Sequence, residues 1–245
     1  MQLVQEFNDW FSNTPTILQP LYKYQENIVV LLEQGKSVIV NKSRQTGLST
    51  LIACYGLTRA LMGDTVIIVS PSLKQSKHVM DYIKTFLNTL REIETVSTTE
   101  ETKTSLHFPN QGAIYSLPNS ASTIRGIRAH LVILDEHAHF LNNTDYEIEQ
   151  AVLPMISRGG QIVYISTPFG EQGLFFKKWT EQNSLEKVKI HYTECPDIKE
   201  EVIRQQYDEI TWRQEFCNEF IGEVNSYFPF NVLEPCIDLE LECEA

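Results

Sequence analysis

SVIVNKSRQTGLST, residues 37–50, is the stretch that decides the fold. Its beginning, Ser37–Val40, is a short β-branched run and predicts a buried strand. A polar loop, Asn41–Thr46, and Gly47 come next, and after Thr50 the pattern turns helical with LIACYGLTRALM. Backbone N–H groups in a loop between a strand and a helix, together with the helix dipole, bind anions well. The stretch therefore predicts a phosphate-binding loop.

The loop departs from the usual pattern G-x-x-x-x-G-K-[ST] at two positions. Lys42 stands at the first glycine, and Leu48 stands at the lysine that normally contacts the phosphates. Arg44 and Lys42 are the candidate replacements. We expect Arg44 to act, because its planar fork suits phosphate oxygens, and Lys42 to point away from the loop. Leu48→Lys is expected to be tolerated, since the helix start faces the phosphates.

Taken alone, this loop could equally be an ordinary turn between a strand and a helix that carries an arginine. As a phosphate site, it also offers the Ser49 hydroxyl as a ligand for Mg²⁺. Upstream, Tyr24-Gln25 lies on a predicted helix, where the amide could pair with adenine and the ring could stack on it. The alternative for this pair is a surface helix residue beside a core aromatic. The predicted ATP-binding residues are Tyr24, Gln25, Lys42, Ser43, Arg44, Gln45, Thr46, Gly47, Leu48, Ser49 and Thr50.

Composition limits the class of protein. The 245 residues and 42% hydrophobic content are enough for one large α/β domain. A formal net charge of −12 disfavours nonspecific, charge-driven binding of nucleic acid but leaves room for a local basic face. The five cysteines are scattered and form no CxxC pair, which is typical of a protein in a reducing compartment. No apolar run approaches the length of a membrane span, and the N-terminus lacks a signal-peptide pattern, so we expect an intracellular protein.

Predicted strands alternate with predicted helices along the rest of the chain. The strands are Thr65–Ser70, Gly112–Leu117, Leu131–Leu134, Gln161–Ser166 and Val188–Tyr192. Because most of them are apolar throughout, we expect a mostly parallel sheet with helices on both faces. Ligands in such sheets bind at the carboxyl ends of the strands. One site should therefore collect the loop, Asp135-Glu136 and Ser166-Thr167.

The sequence HLVILDE supplies the second half of a nucleotide site. Asp135 ends an apolar strand and could hold Mg²⁺, and Glu136 could polarise a water for attack on the γ-phosphate. The alternative is a strand end with two solvated carboxylates. Ser166-Thr167 could hydrogen-bond a phosphate or the attacking water, or could simply be a polar strand end before Pro168.

Two pairs of residues flank the acidic strand. Arg125 and Arg128 lie on either side of Gly126, and an arginine there could neutralise transition-state charge in its own subunit or a neighbouring one. A solvated loop arginine is the alternative, and it is the weaker one for Arg125. His137 and His139 lack an evident third metal ligand, so we interpret them as surface residues or as support behind the ligands.

These motifs together resemble the ATPase domain of the large terminase subunit of tailed viruses. The segments that carry the resemblance are KYQ (23–25), KSRQTGLST (42–50), STIRGIRAHLVILDEHAHF (122–140), YISTPFG (164–170) and EFIGEVNSYFP (219–229). The resemblance implies a RecA-like P-loop NTPase fold of the additional-strand, conserved-glutamate class, with ATP and Mg²⁺ as cofactors. It implies that Glu136, Arg44 and Arg125 are catalytic, with Arg125 acting in trans. It also implies that Ser49 and Asp135 hold the metal and that Ser166 and Thr167 couple hydrolysis to movement.

The resemblance also implies a DNA-packaging motor and its surroundings. The expected partners are double-stranded DNA, a portal protein and a small terminase subunit, in the cytoplasm of a host cell. We expect a monomer in isolation and a homo-oligomeric ring when assembled. The expected organisation is N-terminal helices with the adenine motif over 1–35, a P-loop ATPase core with a C-terminal subdomain over 36–225, and the start of a linker toward an absent nuclease domain over 226–245.

Two other functions remain open from the sequence. A helicase-like ATPase shares the glutamine, the loop and the Asp-Glu strand, although the chain leaves no length for a second RecA-like domain. A degenerate scaffold that binds nucleotide without hydrolysis is suggested by Leu48 and opposed by Glu136.

Overall fold

The computed structural model describes residues 21–140 and 144–222. Residues 1–20 of the expected N-terminal helices and the expected linker over 226–245 lie outside the described residues. No helix in the described ranges is both long and apolar enough to cross a membrane.

The described chain alternates strands and helices much as the sequence predicts. The strands are β1 (Val38–Lys42), β2 (Thr65–Ser70), β3 (Glu100–Glu101), β4 (Ser105–His107), β5 (Ala113–Pro118), β6 (Leu131–Asp135), β7 (Gln161–Ser166) and β8 (Glu186–Ile190). The helices are α1 (Lys23–Glu33), α2 (Leu48–Leu61), α3 (Leu73–Ile93), α4 (Ala121–Ile124), α5 (Thr144–Ile156), α6 (Gly173–Thr180), α7 (Glu200–Ile203) and α8 (Glu209–Glu215).

All eight strands form one sheet in the order β3-β4-β5-β2-β6-β7-β1-β8. The neighbouring strands β5, β2, β6, β7, β1 and β8 are all parallel to one another. The strands β3 and β4 pair antiparallel as a hairpin, and β4 pairs antiparallel with β5 at one edge of the sheet. One strand, β7, lies between β1, which leads into the predicted phosphate loop, and β6, which ends in Asp135. The predicted α/β fold, with its mostly parallel sheet, is confirmed.

Helices cover both faces of the sheet, as predicted. Successive residues of β1 face opposite sides: Val38 and Val40 join one apolar cluster with α1, α2 and α3, whereas Ile39 joins a second cluster with α5 and α6. All three residues are completely buried. A strand that is buried on both faces must be apolar at every position, which is why the central strands read as continuous apolar runs.

The register places the predicted site residues at one edge of the sheet. Asn41 of β1 is paired with Ser166 of β7, and Asp135 of β6 is paired with Ile165 of β7. The residues that follow in the chain therefore emerge together at the carboxyl edge.

Candidate functional site

The predicted phosphate loop turns from β1 into α2 through left-handed backbone conformations. Gly47, which precedes the helix, has φ 68°, and Gln45 has φ 59°. A Cβ at position 47 would lie 3.0 Å from Gln25 Nε2, so both the backbone and the space favour glycine there. Ser49 and Thr50 lie partly buried in the first turn of α2. The loop thus leads into a helix N-terminus, as an anion site requires.

Helix α1 contacts the loop through Tyr24 and Gln25, which are 5% and 7% exposed. The Tyr24 hydroxyl donates to Thr46 O at 2.9 Å, and Gln25 Nε2 lies 3.3 Å from Thr46 O and 3.4 Å from Gly47 O. Gln25 Oε1 accepts from the backbone N–H of Tyr22 at 3.0 Å. The nitrogen of this amide therefore holds the loop and its oxygen caps the start of α1, a role that the sequence does not reveal. An adenine contact by this pair remains a prediction.

Lys42 points into the site, and the expectation that it points away is wrong. Its side chain is 7% exposed, and Nζ lies 2.7 Å from Glu136 Oε1. A buried ammonium group needs an opposite charge to offset its lost hydration. Because β1 and β6 end at the same edge of the sheet, Glu136 is near enough to supply that charge.

Arg44 faces the outer side of the loop. Its side chain is 55% exposed, and Nε lies 3.2 Å from Glu215 Oε2 at the end of α8. The Arg44 backbone N–H also donates to Glu215 O at 2.8 Å. In the structure, Arg44 therefore contacts a carboxylate, and Lys42 is the buried cation of the site. Side-chain shape predicts the opposite, with Arg44 as the phosphate cation and Lys42 outside the site.

Ser43 and Leu48 also serve the fold itself. The Ser43 hydroxyl is completely buried and donates to Phe216 O at 2.5 Å, while its N–H donates to Ile190 O at 2.9 Å. Leu48 is 2% exposed within the apolar cluster of α1, α2 and α3. The start of α2 therefore turns Leu48 to the core and not to the phosphates, so we now expect a lysine there to be destabilising, because its charge would start inside the core.

The segment after α8 closes over the end of β1. Asn218 has the left-handed φ of 60°, and its Nδ2 lies 3.1 Å from Asn41 O. Asn41 Nδ2 donates in return to Asn218 O at 3.2 Å. With the Arg44–Glu215 pair, these bonds connect the start of the phosphate loop to residues 215–218.

The two carboxylates at the end of β6 differ in protonation. Burial, reinforced by the negative charge of Glu136, raises the pKa of Asp135 to about 7. Burial also acts to raise the pKa of Glu136, but the nearby Lys42 ammonium outweighs it and holds that pKa below its ordinary value. Glu136 is thus a charged proton acceptor at neutral pH.

The Glu136 side chain is oriented from several directions. Its backbone is left-handed at φ 52°, which is uncommon for a residue other than glycine. Oε2 lies 3.4 Å from the Thr167 N–H and 3.5 Å from Ser166 Oγ. The predicted coupling residues therefore do lie beside the predicted base.

His139 joins this group, although the sequence pattern gave no clear role for it. Its Nε2 lies 3.0 Å from Thr167 Oγ1 and 4.0 Å from Glu136 Oε2. Burial lowers the pKa of His139, so the neutral ring predominates at neutral pH. Its spacing of three residues after Glu136, in the turn that follows a buried strand, is the signal that could have placed it here.

His137 is not a surface residue. It is 1% exposed, and the rings of Phe140, Tyr164 and Phe175 surround it. Burial lowers its pKa to about 3, so it packs as a neutral aromatic ring.

The residues at the carboxyl edge fit a bound Mg²⁺. Asp135 is 4% exposed, and its Oδ1 has no hydrogen-bond partner within the described parts of the chain. A buried, unpaired carboxylate oxygen is costly unless a cation neutralises it, and Mg²⁺ prefers such oxygens. Ser49, in the first turn of α2, is the predicted second ligand.

Arg125 does not line this site. It is exposed and lines a separate cleft beside α5 with Arg128 and Arg158.

A model of the family described as terminase large subunit, T4likevirus-type, N-terminal, matches residues 39–234. The chain belongs to this terminase family. The resemblance inferred from the motifs is thereby confirmed.

Solved terminase structures share the fold. The ATPase domain of the Thermus phage P74-26 large terminase has a TM-score of 0.70 and 16% identity, over 88% of this chain and 98% of that one. A large terminase from a thermophilic bacteriophage, in complex with ATP-gamma-S, has a TM-score of 0.64 and 12% identity, over 82% of this chain and 53% of that one. The chain thus spans about half of that second protein.

The fold extends beyond terminases. A hypothetical ATP-dependent RNA helicase from Sulfolobus tokodaii has a TM-score of 0.51 and 16% identity, over 74% of this chain and 57% of that one. The RecA-like core therefore does not by itself separate a packaging motor from a helicase.

Proposed function

We propose that this terminase-family chain is an ATPase motor domain that hydrolyses ATP to drive double-stranded DNA into a procapsid. The observation that carries the proposal is the group at the carboxyl edge: buried Lys42 against charged Glu136, beside the unpaired oxygen of Asp135. A cation for phosphate, a base for water and a metal ligand are the parts that phosphoryl transfer to water requires.

Lys42 and Glu136 have complementary roles in this proposal. The ammonium group of Lys42 neutralises phosphate charge, and Glu136 accepts a proton from the attacking water. Because the two now contact each other, nucleotide that attracts Lys42 frees Glu136 to hold water. Bound Mg²⁺ would neutralise further phosphate charge, with Asp135 and Ser49 as its protein ligands.

Two contacts could transmit the state of the nucleotide to the rest of the chain. Thr167 connects β7 to Glu136 and His139, which is the coupling role proposed for Ser166-Thr167. On the other side of the loop, phosphate would compete with Glu215 for Arg44. An Arg44 that turns to the phosphates would release the end of α8, so we keep it among the proposed catalytic residues.

The remaining assignments follow the family. We propose a ring of subunits that works with a portal protein and a small terminase subunit in the host cytoplasm. Arg125 is exposed and lies outside its own site, which is consistent with action on a neighbour's nucleotide. The ATPase core is assigned to 36–225, between N-terminal helices over 1–35 and a linker that begins at 226.

A packaging assay tests this function. The full-length protein is mixed with procapsids, the small subunit and linear double-stranded DNA, and DNA protected from nuclease is measured with and without ATP. We expect protection that requires hydrolysable ATP. ATP-dependent strand separation without protection would instead support the helicase alternative, which shares this fold.

Asp135→Asn provides a test that is independent of turnover. The pKa of Asp135 is about 7 in the folded protein and ~3.9 in the unfolded chain. At a pH between these two values, Asp135 therefore carries a proton in the folded state but not in the unfolded state. The free energy of unfolding of the metal-free protein therefore falls as pH rises from about 4 to about 7, by at most ~4 kcal/mol. Asparagine does not titrate, so the Tm of the variant relative to wild type should rise between pH 5 and pH 8 in EDTA.

The control for this titration is Asp81→Asn, since Asp81 is exposed on α3. Its Tm relative to wild type should not depend on pH. Mg²⁺ with nucleotide should raise the Tm of wild type at pH 8 and leave Asp135→Asn nearly unchanged. A Tm difference between Asp135→Asn and wild type that is equal at both pH values would contradict the assignment.

A further inference from the structure

The arginines of the described chain fall into two groups. Five pair with a carboxylate: Arg44, Arg59, Arg91, Arg204 and Arg213. The side chains of the others, Arg125, Arg128 and Arg158, have no ion pair or hydrogen bond to any residue that the structure describes, and all three are exposed. The chain carries 32 acidic residues against 20 basic ones, so arginines without a carboxylate partner stand out.

These three unpaired arginines line the same cleft, which has a volume of about 440 Å³. None of the described residues that line it is acidic, and its apolar lining includes Ile127, Pro154 and Met155. An apolar cleft with a rim of unpaired guanidinium groups suits a ligand with negative charges and apolar edges. Guanidinium groups bind phosphate oxygens in a bidentate manner.

The cleft extends to the sheet edge opposite the candidate nucleotide site. Arg128 lies just before β6, and Arg158 lies just before β7, so both are near the amino ends of these parallel strands. Lys42 and Glu136 lie at the carboxyl ends. The candidate nucleotide site of the same subunit therefore lies at the other end of the strands, and a ligand of this cleft would be a different molecule.

We propose that this arginine cleft binds the sugar–phosphate backbone of the DNA on which the motor acts. Phosphates repeat along a DNA strand and alternate with apolar deoxyribose, which matches several arginines around an apolar floor. A single γ-phosphate of a neighbour's nucleotide needs one arginine, and Arg125 has been assigned to it above. Arg128 and Arg158 lie just before β6 and β7 and have not been assigned to that phosphate, so the backbone site is assigned to them.

Local geometry supports access by a strand. Gly126 lies two residues before Arg128 and Gly159 follows Arg158, with φ of 93° and 96°, and no atom of the described chain lies within 4 Å of a Cβ built on either. Both loops are therefore open at the points that carry the arginines. A local basic cleft also reconciles DNA binding with a net charge of −12.

The inference rests on the proposed function, since it takes DNA as the substrate, and salt dependence tests it separately. Binding of full-length protein to double-stranded DNA is measured over a range of salt concentrations. The double variant Arg128→Gln with Arg158→Gln is compared with the control Arg91→Gln with Arg204→Gln, which removes equal charge from paired arginines. Each lost phosphate contact reduces the slope of log K against log salt by ~0.9.

We expect the cleft variant to bind roughly ten-fold or more weakly near ~0.1 M salt, with a slope shallower by about 2, and the control to match wild type. Arg128→Lys with Arg158→Lys should keep the slope, because charge is retained. ATP turnover measured without DNA should be unchanged in all three, and Tm values report on folding.

The outcomes separate the two proposals. A wild-type protein that does not bind DNA at all refutes DNA as the partner and thus the proposed function. A wild type that binds, with a cleft variant indistinguishable from the control, overturns the arginine cleft alone. A cleft variant that keeps DNA affinity but loses turnover only at high protein concentration also overturns it, because Arg128 and Arg158 would then act on the neighbouring subunit, like Arg125, and not on DNA.

Discussion

Glu136→Gln is expected to bind ATP with nearly wild-type affinity and to hydrolyse it about 10²–10⁴-fold more slowly. The amide has the shape of the carboxylate and can still accept a hydrogen bond from Lys42 Nζ, now 2.7 Å from Oε1. It cannot accept a proton from water. Since the nearby lysine keeps the wild-type carboxylate ionised at neutral pH, the lost basicity is the main difference between the two side chains.

The same chain offers a matched control in Glu149→Gln. Glu149 Oε1 lies 2.5 Å from Lys178 Nζ and accepts a hydrogen bond from the Tyr164 hydroxyl, so this change also alters a largely buried glutamate–lysine pair. It lies on α5, away from the loop. Glu149→Gln should keep turnover even if it lowers the Tm.

Affinity and turnover are measured separately for these variants. Equilibrium binding of a fluorescent ATP analogue gives the first, and release of phosphate by the assembled motor gives the second. A wild-type rate for Glu136→Gln in the assembled motor would remove Glu136 from the role of base. Loss of binding together with turnover would instead show that Glu136 mainly holds Lys42 in place.

The sheet was largely predictable because its strands are buried on both faces. Thr65–Ser70 and Gln161–Ser166 are predicted with the bounds that the structure gives, since the four inner residues of each form an apolar run between polar ends. What local patterns could not provide is strand order: only long-range pairing places β7 between β1 and β6.

The meeting of Asp135, Glu136 and Thr167 was predictable for a different reason. All parallel strands deliver their following residues to one edge, so no distances are needed to expect these groups near the loop. Which of the site residues contact the phosphates directly is not predictable in this way. The chemistry of a side chain predicts which ligands it can bind, but not which residue of the folded chain it already contacts.

Arg44 and His139 illustrate that limit. Arg44 has the better shape for phosphate, yet Glu215, from far along the chain, lies beside it. His139 was set aside for lack of a metal partner, yet it contacts Thr167 near Glu136. Both contacts depend on tertiary structure, and a local sequence pattern contains no information about either.

Lys42→Ala is expected to damage the site more than Arg44→Ala. Lys42 is a buried cation inside the group at the carboxyl edge, whereas Arg44 is 55% exposed and directed at Glu215. Loss of a preorganised group that stabilises transition-state charge typically lowers turnover ~10²–10³-fold. Lys42→Ala should therefore lose both ATP affinity and turnover. Arg44→Ala should keep most of the affinity and lose part of the turnover.

Stability must be followed in parallel, because Lys42→Ala leaves Glu136 without its counter-charge. The matched control is Lys178→Ala, which strips Glu149 of a lysine partner away from the site. If both lysine variants have a lower Tm but only Lys42→Ala loses ATP affinity, the loss of affinity is due to the phosphate site and not to lower stability.

Moving the lysine to its usual position should not rescue Lys42→Ala. Leu48 is 2% exposed in the core, and a charge placed there costs ~3 kcal/mol or more. For a domain of this size that corresponds to a Tm lower by ~6–12 °C. Leu48→Lys combined with Lys42→Ala should thus be less stable than Lys42→Ala alone and no more active. Should Arg44→Ala prove more damaging than Lys42→Ala, Lys42 is not the phosphate cation and the loop follows the arrangement expected from its sequence. Should Leu48→Lys restore binding to Lys42→Ala, position 48 reaches the phosphates rather than the core.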